Sequence, residues 1–290
     1  MMPPRDLLLA LVVILVWGTN FSAMKLALDA LPPLLFVGLR FAILIPLIPL
    51  FKRPAPWLAI LGVGALLNMG QFAFLFSAMR EDASAGLASL LLQSQAPLTI
   101  LLAGLVYGER VSRLQAAGIA LACLGVAGFA LGGGGNITLW GLTLVLCGAL
   151  SWACGNLILR RLPGVNMLAL FIWASLVPPL PMLALSYATE GPAPFATLAA
   201  MDAQGWGAVL YVAIASTIIG YSIWGALLSR HPAAQVTPFA LGIPVVGIVT
   251  AAIVLGERIT PVEAIMGLVI LSGIALAVLA PRFSRRRAQP

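Results

Sequence analysis

The sequence predicts an all-α polytopic membrane protein with ten transmembrane helices, arranged as two inverted five-helix repeats. Three observations carry this: the scarcity of charge, the apolar runs of membrane-crossing length, and an internal repeat. Of the 290 residues, 61% are hydrophobic and 9% charged. A soluble domain carries about 25% charged residues, and so few cannot keep a surface of this size hydrated. Apolar runs of around 20 residues suit helices crossing a roughly 30 Å hydrocarbon core at about 1.5 Å per residue. Closed barrels are the other way to satisfy the backbone in lipid, and the short alternating pattern they need is absent.

Breaks in the apolar pattern place the spans at 6–29, 33–51, 57–79, 83–107, 112–131, 138–160, 166–188, 205–229, 233–255 and 260–281. The separators are Pro32-Pro33, Lys52 to Pro54, Arg80 to Asp82, Glu109-Arg110, Gly132 to Gly135, Arg160 to Pro163, Thr189 to Gln204, Arg230 to Pro232, and Glu257-Arg258. The first span is too long for a cleaved signal peptide and is interrupted by Lys25, so it is expected to remain as the first helix.

Basic residues set the expected orientation, because loops rich in Lys and Arg stay cytoplasmic. With the N-terminus inside, twelve of the sixteen basic residues fall on the cytoplasmic side. The 189–204 loop then faces out and holds Glu190 and Asp202 with no basic residue. Both termini are cytoplasmic, and the expected location is the bacterial inner membrane. The net charge of +7 therefore reflects topology and anionic lipid headgroups rather than nucleic acid. Cys123, Cys147 and Cys154 lie inside spans without metal-like spacing. With one histidine, His231, they build neither a zinc site nor a disulfide framework. No metal and no cofactor are expected.

The second half of the chain repeats the first. Val106 to Ser112, containing Gly108-Glu109-Arg110, matches Val254 to Thr260, containing Gly256-Glu257-Arg258, 148 residues later. Gly125-Val126-Ala127 matches Gly273-Ile274-Ala275 at the same offset. Pro97 faces Pro244 with a slip of one, and Trp17 and Asn20 face Trp152 and Asn156. The expected units are 1–131 (first repeat), 138–281 (second repeat) and a basic cytoplasmic tail, 282–290. Five spans per unit invert the second copy, an architecture of secondary transporters with the substrate near the midplane between repeats.

The two Gly-Glu-Arg segments, Tyr221 to Leu227, Gly242 to Val246, and Arg40-Phe41 after Pro32-Pro33 together resemble the EamA-type branch of the drug/metabolite transporter superfamily. The resemblance covers nearly the whole chain. It implies ten helices in two inverted repeats, cytoplasmic termini and a central cavity. Many bacterial members resemble exporters of amino acids and other metabolites, including aromatic amino acids.

The acidic residues all fall at or near span ends, where water reaches them from one side, and none lies mid-membrane. A proton-coupled carrier usually relays through a buried carboxylate or histidine. Their absence at depth favours a facilitative carrier of neutral or zwitterionic solutes. Arg40 is the one clearly intramembrane charge. It reads as a gate or a contact to a substrate carboxylate, or else as a structural partner of Glu81 or Asp82 or a side chain snorkelling outward. Mid-span amides and aromatics are the expected wall of the substrate site: Trp17, Asn20, Asn68, Gln71, Gln93, Trp152, Tyr221 and Trp224. Amides at that depth need partners and face the bundle, whether as ligand contacts or as glue between helices. Pro97 and Pro244 each free a carbonyl and bend their helices. Glu109 and Glu257 follow glycines that turn the chain, and are expected to be structural or gating. The expected function is export of small neutral or zwitterionic metabolites, chiefly amino acids, by alternating access in a monomer. The alternatives are a channel, or a transporter of nucleobases or drugs. An enzyme is disfavoured, since neither a nucleophile–base set nor a metal site can be assembled at depth.

Overall fold

The structure, a computed structural model, describes residues 2–131 and 137–287. The joint at Gly132 to Gly135 and the last residues of the tail lie outside the described residues. Among the described residues there is no strand. The membrane-crossing helices are α1 (Pro4–Ala30), α2 (Pro33–Leu50), α3 (Trp57–Glu81), α4 (Ala85–Tyr107), α5 (Arg113–Leu131), α6 (Leu139–Arg160), α8 (Ala203–Arg230), α9 (Thr237–Leu255) and α10 (Pro261–Ala280). Helix α7 is a broken span, Met167–Ala174 then Pro179–Thr189, bent by 42°. The break follows from Pro178 and Pro179, which lack amide donors and whose rings collide with the carbonyls one turn back. The helix of α10 runs on to Arg287, so no break separates it from the basic tail expected from residue 282.

The packing obeys the exchange of α1–α5 with α6–α10. Helix α1 packs on α9 and α8, and α6 packs on α4 and α3. Helices α2 and α7, α4 and α9, and α5 and α10 pair with their own counterparts. Irregular backbone recurs at equivalent places. Gly64–Gly70 in α3 and Tyr211–Ile219 in α8 are wound as π-helix, which a single sequence does not signal. Tight 3₁₀ turns at Leu92–Ser94 and Thr237–Leu241 precede the segments carrying Pro97 and Pro244. Those prolines cannot donate to the carbonyls of Gln93 and Ala240, which accept from Gln95 N and Gly242 N instead. Ala240 O also accepts from Gln93 Nε2 at 3.4 Å. Gly108 and Gly256 end α4 and α9 at φ values of 68° and 67°, a left-handed cap that only glycine adopts without strain.

The face where α1 begins and α6 and α8 end is the near face; the opposite one is the far face. The main buried cluster lies in the far half, with Phe36 stacked on Phe76 at 4.4 Å and Leu75, Met79, Leu90 and Val212 around them. The near half holds two smaller clusters, around Ile60 and Phe171 and around Ala10 and Leu227. The far face is also tied shut by polar contacts. Leu34 N and Leu35 N donate to Glu190 at 2.8 and 3.1 Å. Arg80 donates to Leu28 O at 2.6 Å, Lys25 to Met79 O at 2.5 Å, and Thr138 N to Asp82 at 2.7 Å. Outward-facing side chains such as Leu58 (84% exposed) and Leu105 (82%) suit lipid tails rather than water.

Candidate functional site

A cavity sits where the packed far half meets the looser near half, between the repeats. Its wall includes Trp17 and Asn20 from α1, Arg40 from α2, Gln71 and Phe72 from α3, and Ser89 and Gln93 from α4. The second repeat adds Trp152 from α6, Ser216 and Tyr221 from α8, and Ile243 from α9. It measures about 60 Å³, room for about two waters. A larger hollow of about 530 Å³ between α4, α5 and α6 is lined by Pro97, Leu98, Ile119, Cys123 and Leu146. That hollow is almost wholly apolar and its rim exposes Leu101 and Leu139. Ser94 and Thr143 are the hydroxyl residues in its lining, which among the described residues holds no amide and no charged side chain.

The cavity's aromatic side is built by close helix approach. Trp17 lies against Gly220, where an added Cβ would fall 2.1 Å from the indole nitrogen. Its Nε1 donates to Ser216 O at 3.0 Å, inside the π-wound stretch. Tyr221 meets Trp17 edge-on at 5.4 Å and stacks on Phe171 at 3.8 Å. On the opposite side, Arg40 is 3% exposed and lies 3.8 Å from the centroid of Phe72. Its Nε and Nη1, and Asn20 Oδ1, are buried without a partner among the described residues.

Six of the eight side chains expected in the wall are brought together here: Trp17, Asn20, Gln71, Gln93, Trp152 and Tyr221. Asn68 is not among them. It is 1% exposed and donates to Phe171 O at 3.3 Å, joining α3 to α7. Trp224 touches Trp17 at 5.5 Å but packs into the small near-half cluster. Arg40 belongs to the wall; the sequence left it open as a gate, a contact to a substrate carboxylate, or a structural or snorkelling side chain. Of its structural alternatives, Asp82 is engaged with Thr138, and burial excludes snorkelling. Sequence reasoning missed Ser89. Asn156, a mid-span amide that the sequence allowed as a tie between helices, donates through Nδ2 to Gln95 Oε1 at 3.0 Å and Thr99 Oγ1 at 3.1 Å, joining α6 to α4.

The two repeat-equivalent carboxylates stand in different states. Glu257 reaches across to the first turn of α4 and accepts from Ala85 N at 2.7 Å and Gly86 N at 3.0 Å. A carboxylate at a helix N-terminus satisfies otherwise orphaned amides and meets the positive end of the dipole. Glu109, on the near face, is instead held through both oxygens by Arg160, and that pair is 44–49% exposed. The expectation that every carboxylate is reached by water also needs correction. Asp6 is 5% exposed and bound by His231 at 2.6 Å and Arg230 at 3.4 Å. Glu263 is 1% exposed and accepts from Thr260 N at 2.8 Å. Both lie in the first turn of their helices, where a carboxylate is stabilised by backbone donors even when buried.

The profile described as the EamA-like transporter family matches residues 5–131 and 139–279. A "Probable amino-acid metabolite efflux pump" of Salmonella typhimurium is 41% identical over 293 residues, covering 98% of each chain. A protein of the same description from Escherichia coli K12 is 38% identical, again over 98% of each. An "Uncharacterized inner membrane transporter YedA" of Escherichia coli K12 is 27% identical over 91% of this chain and 88% of its own. A solved crystal structure matches in fold with a TM-score of 0.62 and 21% identity, covering 96% of this chain and 99% of the other.

Proposed function

The chain belongs to the EamA-like transporter family, and from that premise we propose that it exports amino acids and related zwitterionic metabolites across a bacterial inner membrane by alternating access. It is a multi-pass transporter and not an enzyme. The substrate class draws support from the descriptions of its relatives and from a cavity walled by amides, one cation and aromatic rings. The observation that carries alternating access is the unequal engagement of Glu257 and Glu109. An inverted repeat offers the same latch at both faces, and closing one while the other is released defines two states of equal architecture. In this reading the far face, where the main core lies, is the closed one. The protein works as a monomer, its small-residue face on α5 being used internally against α10.

Transport is facilitative. Among the described residues no carboxylate or histidine lines the cavity, so no group there changes protonation between states. Arg keeps its proton throughout. The test is counterflow in proteoliposomes loaded with unlabelled amino acids. Labelled amino acid should enter and exchange saturably with no imposed gradient, and a pH gradient should leave the plateau unchanged. Accumulation above equilibrium under a pH gradient would overturn the facilitative reading and direct attention to the Asp6–His231 pair. Absence of counterflow with measurable leak would indicate a channel.

Both termini and the Arg160-Arg161 loop face the cytoplasm, by the distribution of basic residues. Single cysteines in a background lacking Cys123, Cys147 and Cys154 check this with an impermeant thiol reagent on intact cells. Labelling is expected at 189–204 and not at 160–165; the reverse pattern would invert the topology.

A further inference from the structure

We propose that Arg40 is the receptor for the carboxylate of the transported solute, so that a free carboxylate is the feature this carrier requires. The inference rests on the transporter reading above and narrows its substrate class. A guanidinium buried at membrane depth is expensive unless paired. Arg40 is 3% exposed, and Nε and Nη1 have no partner among the described residues. Among the described residues its compensation comes from ring faces, Phe72 at 3.8 Å and Phe41 at 5.1 Å. A ring face balances part of the charge and occupies one side of the guanidinium plane, leaving in-plane donors free. Arg40 itself lies in the wall of a cavity that, among the described residues, contains no carboxylate.

The ligand that completes such a site is an oxyanion. Arg's fork matches a carboxylate, and bidentate pairs are among the strongest hydrogen-bonded contacts available. The rest of the wall selects among oxyanions. A phosphate would call for further cations, and Arg40 is the cavity's only charged side chain among the described residues. One carboxylate balances one guanidinium. The unpartnered Asn20 Oδ1 accepts from an ammonium group, and Trp17, Trp152 and Tyr221 offer ring faces to it or to an apolar side chain. An α-amino acid fits this set. Amines and cationic drugs meet an uncompensated positive charge, and nucleobases leave it unpaired.

Counterflow of the twenty standard L-amino acids by the wild type comes first, followed by the amide, the decarboxylated amine and the deaminated acid of each one exchanged. The amino acid should outcompete its amide and its amine by about 100-fold, because a site built for a charged hydrogen bond rejects analogues that lack it. Arg40→Met should lose about 100-fold in exchange and bring the acid-to-amide ratio near one, with Arg40→Lys in between. Arg40→Met should also melt at or above the wild-type temperature, since it removes an uncompensated buried charge. Equal counterflow of acid and amide by the wild type would overturn the carboxylate role and leave the transporter reading intact. A marked fall in melting temperature for Arg40→Met would overturn it as well, by assigning Arg40 a structural role. Failure of the wild type to exchange any amino acid would remove the substrate reading itself.

Discussion

Gly273→Leu should prevent stable folding, and Gly118→Leu should do the same. Helices α5 and α10 make the most extensive contact in the molecule, and they meet backbone to backbone. A Cβ at Gly273 would lie 2.4 Å from Ala122 N and 2.6 Å from Gly118 O. A Cβ at Gly118 would lie 2.5 Å from Ala277 N and 2.6 Å from Gly273 O. None of these atoms belongs to a side chain that could rotate away, so the helices must separate along their length. In lipid the association of helices depends on close packing, because hydrocarbon solvates a separated helix nearly as well as its neighbour does. Overpacking a core costs about 1–3 kcal/mol where side chains can adjust. A clash between two backbones stands at or beyond the upper end of that range. Monodisperse yield in detergent and the melting temperature of what survives give the measurement. Gly207→Ala is the control, since no neighbour lies within 4 Å of its added Cβ, and alanine there raises helix propensity by about 1 kcal/mol. A Gly273→Leu protein melting within a degree or two of the wild type would refute this account of the interface.

The same glycines bear on how much of the fold was legible. The stripe of Gly118, Ala122 and Gly125 could be read as a packing face because small residues recur at helical spacing. Its partner could not, since α10 lies about 150 residues away in the chain. Span lengths and the Gly-Glu-Arg repeat were legible for physical reasons: hydrocarbon thickness fixes the first, and a left-handed cap demands glycine in the second. Helix facing was harder. Tyr221 and Trp224 are three residues apart and share a helical face, yet Tyr221 lines the cavity while Trp224, nearly a turn nearer the α8 terminus, fills a gap beside Ala10 and Leu227. Arg40 showed its depth from sequence but not its direction, because a lone charge in an apolar helix carries no periodicity. The π-wound stretches in α3 and α8 carried no local signature. Glu257 was legible as a residue at a helix end. Its role as cap belongs to a different helix, α4, and depended on the inverted arrangement bringing that terminus to it.

Glu257→Gln should loosen the far face, and Glu109→Gln should not. In this structure Glu257 satisfies two amides of the first turn of α4 and places its charge at the positive end of that helix. The amide side chain keeps one acceptor oxygen and loses the charge. The loss is about 1.4 kcal/mol, the range of a helix cap plus its charge–dipole attraction, which is tenfold in the population of states open at that face. Ser89 is a suitable reporter. It is fully buried in the cavity wall, one turn beyond the capped amides. In a background without the native cysteines, Ser89→Cys is close to isosteric. An impermeant thiol reagent applied at the far face should label it about tenfold faster with Glu257→Gln. Glu109→Gln acts where the carboxylate is already drawn away by Arg160 on an exposed surface, and an exposed pair contributes at most about 1 kcal/mol. Its far-face labelling should therefore not rise above the background rate. The state in which Glu109 caps α9 is the one it should weaken, so near-face labelling of the same cysteine should rise instead. Equal far-face acceleration by both substitutions would mean that the carboxylates stabilise the bundle generally, and the alternation between two latches would have to be abandoned.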